Sequence, residues 1–300
     1  MKRVIVTGAN GFIGKKIMNY FSANGYVAQG WDVSSSEDNS VLEVNILNRK
    51  DVLEHLAAFN PELIIHCAGC ADVSKSIEHP ESDFEGNVIL THNLLFSLHE
   101  LKMDDIGFIF LSSAGVYGNP RYLPIDEEMQ LNPLSPYALH KVMCEEICVY
   151  FAKNYKMRVK IARIFSAYGS GLKKQIFWDM LNKYKKYGYI EMFGTGNESR
   201  DYIHVDDVVR ALFLIANSDD NHIIYNVANG EEVKIKEVAE IFSDCLNISH
   251  DLIKFNGVVR EGDPLNWKAD ISRIERIGYK KNIEMTEGLL DYINWGKTIS

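Results

Sequence analysis

The sequence predicts an α/β fold, a doubly wound parallel sheet carrying a smaller mixed α/β lobe. Three observations predict it. Short apolar runs alternate with stretches of helical periodicity through the first half of the chain. Those runs, such as Val4-Ile5-Val6 and Leu63-Ile64-Ile65, contain no polar break, so both faces of each strand must be covered. Beyond about residue 165 the alternation gives way to loop-rich sequence and amphipathic helices. Parallel strands joined through helices cross over right-handedly, which winds such a sheet outward from its first strand.

Each element follows from a local signal. Arg3–Val6 is a strand of β-branched residues, and Gly8–Gly14 is a glycine-rich turn. Phe12–Phe21 places Phe12, Ile13, Ile17, Tyr20 and Phe21 at helical spacing, and Gly25 ends that helix. Tyr26–Asp32 and Val41–Val44 read as the next strands. Arg49–Phe59 is a helix stopped by Asn60-Pro61. Leu63–Cys67 is the fourth strand, Phe84–Leu101 a long amphipathic helix and Gly107–Ser112 the fifth strand. Pro136–Asn154 is another long helix and Arg158–Phe165 the sixth strand.

In the second half, Met180–Tyr187 is a helix with a basic face of Lys183, Lys185 and Lys186. Asp206–Ala216 is amphipathic with an acidic first turn, and helices fall near Lys236–Leu246, Ile271–Ile277 and Glu284–Trp295. Residues 1–165, with about 203–227 returning to them, form one domain on this reading. Residues 166–202 and 228–300 form the smaller lobe, and a cleft opens between the two at the strand ends.

Composition narrows the function classes. A chain of 300 residues with 46% hydrophobic and 24% charged residues suits a globular enzyme. Lys and Arg number 32 against 41 Asp and Glu, a net charge of −9, the wrong sign for gripping nucleic acid over a broad face. No run approaches the roughly 18–20 apolar residues of a membrane span. The start, MKRVIVTG, is too short in apolar residues for a secretory signal, so the chain is expected in the cytoplasm. Five cysteines do not make a disulfide framework. Cys67 and Cys70 form a CxxC with no second pair or histidines at zinc-ligand spacing, so no metal is expected. Those two side chains, like Cys144 and Cys148, are expected to pack.

Thr7-Gly8-Ala9-Asn10-Gly11-Phe12-Ile13-Gly14 follows a strand and opens a helix. Gly8, Gly11 and Gly14 allow a tight turn, a close backbone approach by a pyrophosphate, and close helix–strand packing. The helix N-terminus offers free N–H groups to the anion. Asp32 ends the next strand, 18 positions past Gly14. A carboxylate there accepts from both ribose hydroxyls of an adenosine and repels a 2′-phosphate. No Arg or Lys lies between Asp32 and Arg49 to offset it, so NAD is expected rather than NADP.

Ser135-Pro136-Tyr137-Ala138-Leu139-His140-Lys141 sets Tyr137 and Lys141 one helical turn apart on one face. A phenol with a pKa of about 10 is a poor base near neutrality. An adjacent ammonium and a positive nicotinamide ring favour the phenolate and bring it toward the working range. Lys141 can also hold the nicotinamide ribose. Ser113, in Leu111-Ser112-Ser113-Ala114-Gly115-Val116-Tyr117-Gly118, lies where a doubly wound fold places chemistry, at a strand's carboxyl end. Its hydroxyl can donate to a substrate oxygen whose charge changes.

With these pieces together, the chain resembles an extended short-chain dehydrogenase/reductase with a Rossmann-type domain. More narrowly it resembles the NAD-dependent epimerase/dehydratase family of nucleotide sugars, which includes UDP-galactose 4-epimerase. TGANGFIG matches the family's TGxxGxxG, SSAGVYG its SSxxVYG, and SPYALHK its PYxxxK. The segment from Arg200 to Asp207, RDYIHVDD, matches almost letter for letter, and Arg260-Glu261-Gly262-Asp263 matches an RxGD that closes the substrate lobe.

The resemblance implies further contacts. Phe12 and Ile13 would lie along the pyrophosphate, and Asn45 and Ile46 would meet adenine. Cys67, Ala68, Gly69 and Ala71, with Asn87 and Phe165, would line the cofactor. Ser113, Tyr137 and Lys141 would form the catalytic set. Arg200 and Arg260 would clamp a substrate diphosphate, as guanidinium suits phosphate, with Asp263 beside them. Ser166 stands where the family's RxFNxYG has the substrate-touching Asn, a departure that alters the donor pattern.

The same resemblance sorts the chemistry. Family dehydratases carry an Asp-Glu pair directly after the catalytic hydroxyl, and this chain has Ala114 and Gly115. Double epimerisation uses a Cys near that turn, absent here. Chemistry at one carbon remains, and a 4-epimerase with tightly bound NAD and a 4-keto intermediate is the expectation. A 4-ketoreductase consuming NAD(P)H is the alternative, and the Asp32 preference favours the epimerase. A non-catalytic dinucleotide sensor has little need of an intact Tyr137–Lys141 pair. A homodimer is expected through the two long helices, with Met143, Ile147 and Tyr150 outside the inward stripe.

Overall fold

The computed structural model describes residues 1–34, 36–258 and 264–299. Its first strands and helices run β1 Arg3–Thr7, α1 Phe12–Ala23, β2 Val27–Asp32, β3 Val41–Glu43, α2 Arg49–Phe59 and β4 Leu63–His66. They continue through α3 Val73–Glu78, α4 Pro80–Phe84, α5 Leu90–Glu100, β5 Gly107–Ser113, α6 Pro136–Tyr155 and β6 Arg158–Ile164. The second half holds β7 Ser166–Tyr168, α7 Gln175–Tyr187, β8 Ile190–Met192, β9 Ser199–Arg200, β10 Tyr202–His204, α8 Val205–Asn217 and β11 Ile224–Val227. It ends with β12 Val233–Lys234, α9 Ile235–Leu246, β13 Ile253–Phe255, α10 Ser272–Arg276 and α11 Met285–Thr298.

The central sheet has the strand order β11-β6-β5-β4-β1-β2-β3, with every pairing parallel. Side chains alternate across a strand, and the apolar runs therefore feed two cores. Val4, Val6, Ile65, Ile109 and Leu111 join one core with Ile17 and Phe21 of α1 and Val208 and Leu212 of α8. Ile5, Ile64, Phe108 and Phe110 join the other with Leu56 of α2, Leu94 and Leu98 of α5, and Cys144 and Cys148 of α6. The helices thus cover both faces, and the buried Cys144 and Cys148 are packing residues. A separate core of Phe177, Met180, Phe242, Leu289 and Tyr292 holds the smaller lobe together.

Two local outcomes differ from the periodicity reading. The single helix expected over Phe84–Leu101 is preceded by α3 and α4 and opens with a π-helical turn, Glu85–Ile89. Asn87 sits in that turn and donates its side-chain amide to the Asp83 carbonyl; an extra residue per turn leaves no trace in a 3.6-residue pattern. Ile224–Val227 adds a seventh strand beside β6. The strand order reverses between β1 and β4, so their carboxyl ends diverge and leave a crevice between the following loops.

Candidate active site

A cleft of about 880 Å³ opens at those strand ends, walled on one side by the central sheet's loops and on the other by the smaller lobe. Gly8, Gly11, Phe12, Ile13 and Gly14 line it after β1, and Cys67, Gly69, Cys70 and Ala71 line it after β4. Ser113, Tyr137 and Lys141 line it as well, together with Phe165, Ser166 and Arg200.

The glycine turn has no room for side chains. Gly8 has φ +67°, and a Cβ there would come within 3.0 Å of the Cys67 and Ala68 backbone. A Cβ on Gly14 would lie 2.1 Å from the Gly8 carbonyl oxygen. Gly11 caps α1 without a side-chain hydrogen bond, so the helix presents its first N–H groups to the cleft. At the back of the loop, the buried Asn87 Oδ1 has no hydrogen-bond partner. It faces Gly69, where a Cβ would come within 2.6 Å. A cradle this close to bare backbone, at an open helix N-terminus, fits a dinucleotide phosphate.

The loop is braced from behind. Thr7 Oγ1 meets His66 Nδ1 at 2.7 Å and accepts from the Ala68 amide at 3.1 Å. His66 Nε2 meets Thr91 Oγ1 at 3.2 Å. Burial, helped by the nearby Lys141 charge, pushes the His66 pKa down to about 3, so the imidazole is neutral. Asp32 ends β2 beside the turn and accepts from the Asn10 amide at 3.0 Å and from Ser34. Asp32, Asn45, Ile46, Ala68 and Asn87 do not line the main cleft. Ile46 is buried in the sheet core, and Asn45 is exposed with its side chain accepting from the Leu47 amide.

The reacting groups sit on two elements. Ser135 caps α6 through the Ala138 amide, and Pro136 occupies the first turn. Tyr137 follows, half-buried, its amide held by Ser76 Oγ of α3 at 3.1 Å. One turn on, Lys141 is buried, donates to the Leu111 carbonyl at 3.1 Å, and lies 5.8 Å from the Tyr137 ring centroid. Between them His140 Nδ1 meets Asp83 Oδ2 at 2.6 Å, tying α6 to α4. Ser113 Oγ accepts from the Gly115 amide at 3.1 Å. A Cβ at Gly115 would lie 3.3 Å from Ser113 Oγ and 4.0 Å from Tyr137 Cε1, so the two hydroxyl-bearing residues flank this glycine. Ala114 beside it is fully buried.

On the far wall, Arg200 donates to the Ser199 and Leu265 carbonyls and lies 5.5 Å over the Trp267 ring. Trp267 also meets Phe165 edge to face. Arg260 and Asp263 lie outside the described residues. Cys67 and Cys70 depart from the expectation of packing behind a strand: both line the cleft and Cys70 is exposed, because the chain leaves the sheet after His66 and Gly69 takes φ +147°. Composition and spacing gave no signal for Leu172, Lys174, Gln175 or Trp267, which reach the cleft from the smaller lobe.

Known proteins resemble the chain along most of its length. Residues 4–228 match the family described as the NAD dependent epimerase/dehydratase family. A Methanocaldococcus jannaschii protein with the provisional name UDP-glucose 4-epimerase is 32% identical over 310 residues, covering 98% of both chains. The GDP-6-deoxy-D-mannose reductase of Pseudomonas aeruginosa is 28% identical over 305 residues, covering 96% of this chain and 95% of its own. The solved UDP-N-acetylglucosamine 4-epimerase from Methanobrevibacter ruminantium M1, in complex with UDP-N-acetylmuramic acid, superposes with a TM-score of 0.89 at 26% identity. That superposition covers 99% of this chain and 98% of the other. The family match spans most of the chain and the relatives align along its whole length, so this protein belongs to the NAD-dependent epimerase/dehydratase family.

Proposed function

We propose that the protein is a nucleotide-sugar 4-epimerase, with Ser113, Tyr137 and Lys141 as its reacting set. The observation that carries this is the glycine between the hydroxyls. Ser113 and Tyr137 flank Gly115, and with Ala114 and Gly115 in that stretch no carboxyl group stands there to expel a sugar hydroxyl as water. The names of the relatives that align along the chain support the same reading.

A bound NAD supplies a reversible hydride acceptor for the sugar C4. Gly8, Gly11, Phe12, Ile13 and Gly14 would hold its pyrophosphate, with Asp32 toward the adenosine ribose and Asn45 and Ile46 toward adenine. Cys67, Gly69, Ala71 and Phe165 would line its remaining length, with Ala68 backing Gly8 and Asn87 backing Gly69. Tyr137 Oη takes the proton from the 4-hydroxyl, and Lys141, desolvated beneath the Tyr137 ring, stabilises the phenolate. The Ser113 hydroxyl donates to the same sugar oxygen as its charge changes. Tyr137 returns the proton once the 4-keto sugar has presented its other face. Arg200, Ser166 and, outside the described residues, Arg260 and Asp263 would hold the nucleoside diphosphate. In this division residues 1–165 and about 203–227 serve the cofactor, and 166–202 and 228–300 the substrate. A homodimer through α5 and α6 suits the exposed Met143 and Tyr150. Five unpaired cysteines suit the reducing cytoplasm, which cell fractionation checks.

Denaturing the purified protein tests the reading. Stoichiometric release of NAD, together with a C4 change in a panel of nucleotide sugars, is expected. Tyr137→Phe should lower that activity by about 10²–10⁴-fold with NAD still bound. Equal affinity for NADH and NADPH would remove the role of Asp32. The Pseudomonas aeruginosa relative's name favours a second reading, a 4-ketoreductase. Protein isolated empty that oxidises added NADH with a 4-keto sugar would establish it.

A further inference from the structure

The smaller lobe does more than form the far wall of the cleft; one of its segments spans it. Residues 171–175 run from β7 to α7 and touch the large domain at both ends. At one end a Cβ added to Gly171 would lie 3.5 Å from the Phe12 ring, so this backbone rests on the first residue of α1 in the glycine turn. Phe12 in turn packs against the core that contains Leu172 and Phe177. At the other end the Lys174 ammonium donates to the Ala71 carbonyl at 2.7 Å, in the loop after β4. The glycine turn and the loop after β4 are the two sides of the crevice at the strand-order reversal. A segment in contact with both bridges that crevice from one side to the other.

The local backbone is built for this crossing. Gly169 and Gly171 take φ of +142° and +108°. Gln175, the first residue of α7, takes φ +66°, a left-handed conformation that residues with a Cβ avoid. Lys174 just before it is extended, with φ −158° and ψ 177°, and its ammonium reaches across the cleft to Ala71. Lys174 is exposed overall, and its ammonium faces into the cleft between the lobes. Partial desolvation at the cleft lowers its pKa, opposed by Asp72 and reinforced by Lys75.

We propose that Lys174 is a positioning residue that latches the 171–175 segment onto Ala71 and so retains the dinucleotide through the catalytic cycle. The proposal rests on the epimerase reading, which supplies its purpose. An epimerase has to keep the reduced dinucleotide until the turned sugar has recovered its hydrogen, whereas an enzyme that consumes a reductant has to let it go. The neutral carbonyl of Ala71 is a suitable catch, since a single hydrogen bond from a charged donor can hold and still release.

The test follows dinucleotide alone, with no sugar present. NADH is loaded onto wild type, Lys174→Met and Lys174→Arg, and its release is followed by fluorescence after dilution into excess NAD. Lys174→Met is expected to release NADH about tenfold faster, the worth of one charge-assisted hydrogen bond. Lys174→Arg, which can still donate to the carbonyl, is expected to restore retention. Melting curves of the unloaded variants that match wild type would show an intact fold. Unchanged release from Lys174→Met overturns the latch, above all if the KM for nucleotide sugar rises instead, which would assign Lys174 to the substrate. Failure of Lys174→Arg to restore retention also overturns it. Wild-type protein that binds no NADH would overturn the reading of the cleft along with the latch.

Discussion

At the scale of single residues, His66 shows how burial serves the site without taking part in chemistry. It bridges Thr7 and Thr91 behind the cofactor loop and is neutral, with its pKa pushed down to about 3 by desolvation. A histidine depressed in the folded state takes up a proton more readily when unfolded. Its contribution is therefore complete above the unfolded value of about 6.5 and is lost as pH falls toward 3. The melting temperature should drop between pH 6.5 and 4, and the drop should be shallower in His66→Gln. An equally steep acid limb in that variant would show that other groups set it. Tyr137, Lys141 and Ser113 were legible in the sequence because each sits at a fixed offset from a strand end or within one helical turn. Lys174 was not, because a lysine in a loop carries no signal until the fold brings it to the Ala71 carbonyl.

At the scale of elements, the turn between β1 and α1 depends on three missing side chains. A methyl group on Gly14 would meet the Gly8 carbonyl oxygen at 2.1 Å, a contact between two backbone positions that no rotamer change relieves. Gly14→Ala should destabilise the fold by about 1–3 kcal/mol or more. It should also abolish NAD retention, read as a lower melting temperature and dinucleotide-free protein. Full NAD content in that variant would contradict the cradle. The strands and flanking helices were readable from their apolar spacing. The π-helical turn Glu85–Ile89 was not, since it is specified by the buried Asn87 amide reaching the Asp83 carbonyl. The fifth strand also carries a network no local pattern announces. Ser112 of β5 and Arg163 of β6 both bond to the buried Glu145 of α6, and Tyr117 joins Arg163 to Asn226 of β11. These bonds hold the strand that bears Ser113 against the helix that bears Tyr137.

At the scale of the whole molecule, the outer face of α6 exposes Leu139, Met143 and Tyr150, and Ile89 is exposed at the start of the neighbouring helix. Apolar side chains set along one outer face suit a second copy of the chain. Sedimentation should report a dimer, and Met143→Glu should convert it to monomer, with a melting temperature close to that of wild type at low protein concentration. A concentration-independent monomer in the wild type would remove the proposal.

By itself the sequence determined the strand and helix alternation, the glycine turn, the Tyr137–Lys141 pair and the family they belong to. Each of these is written in spacing along a few neighbouring residues, where sterics and periodicity act directly. Only the tertiary structure decided that Cys67 and Cys70 face the cleft, that Gly115 lies between Ser113 and Tyr137, and that Lys174 meets Ala71 across a separation of 103 residues. Such contacts depend on how the two lobes close on one another, and that closure is set by the summed packing of both cores.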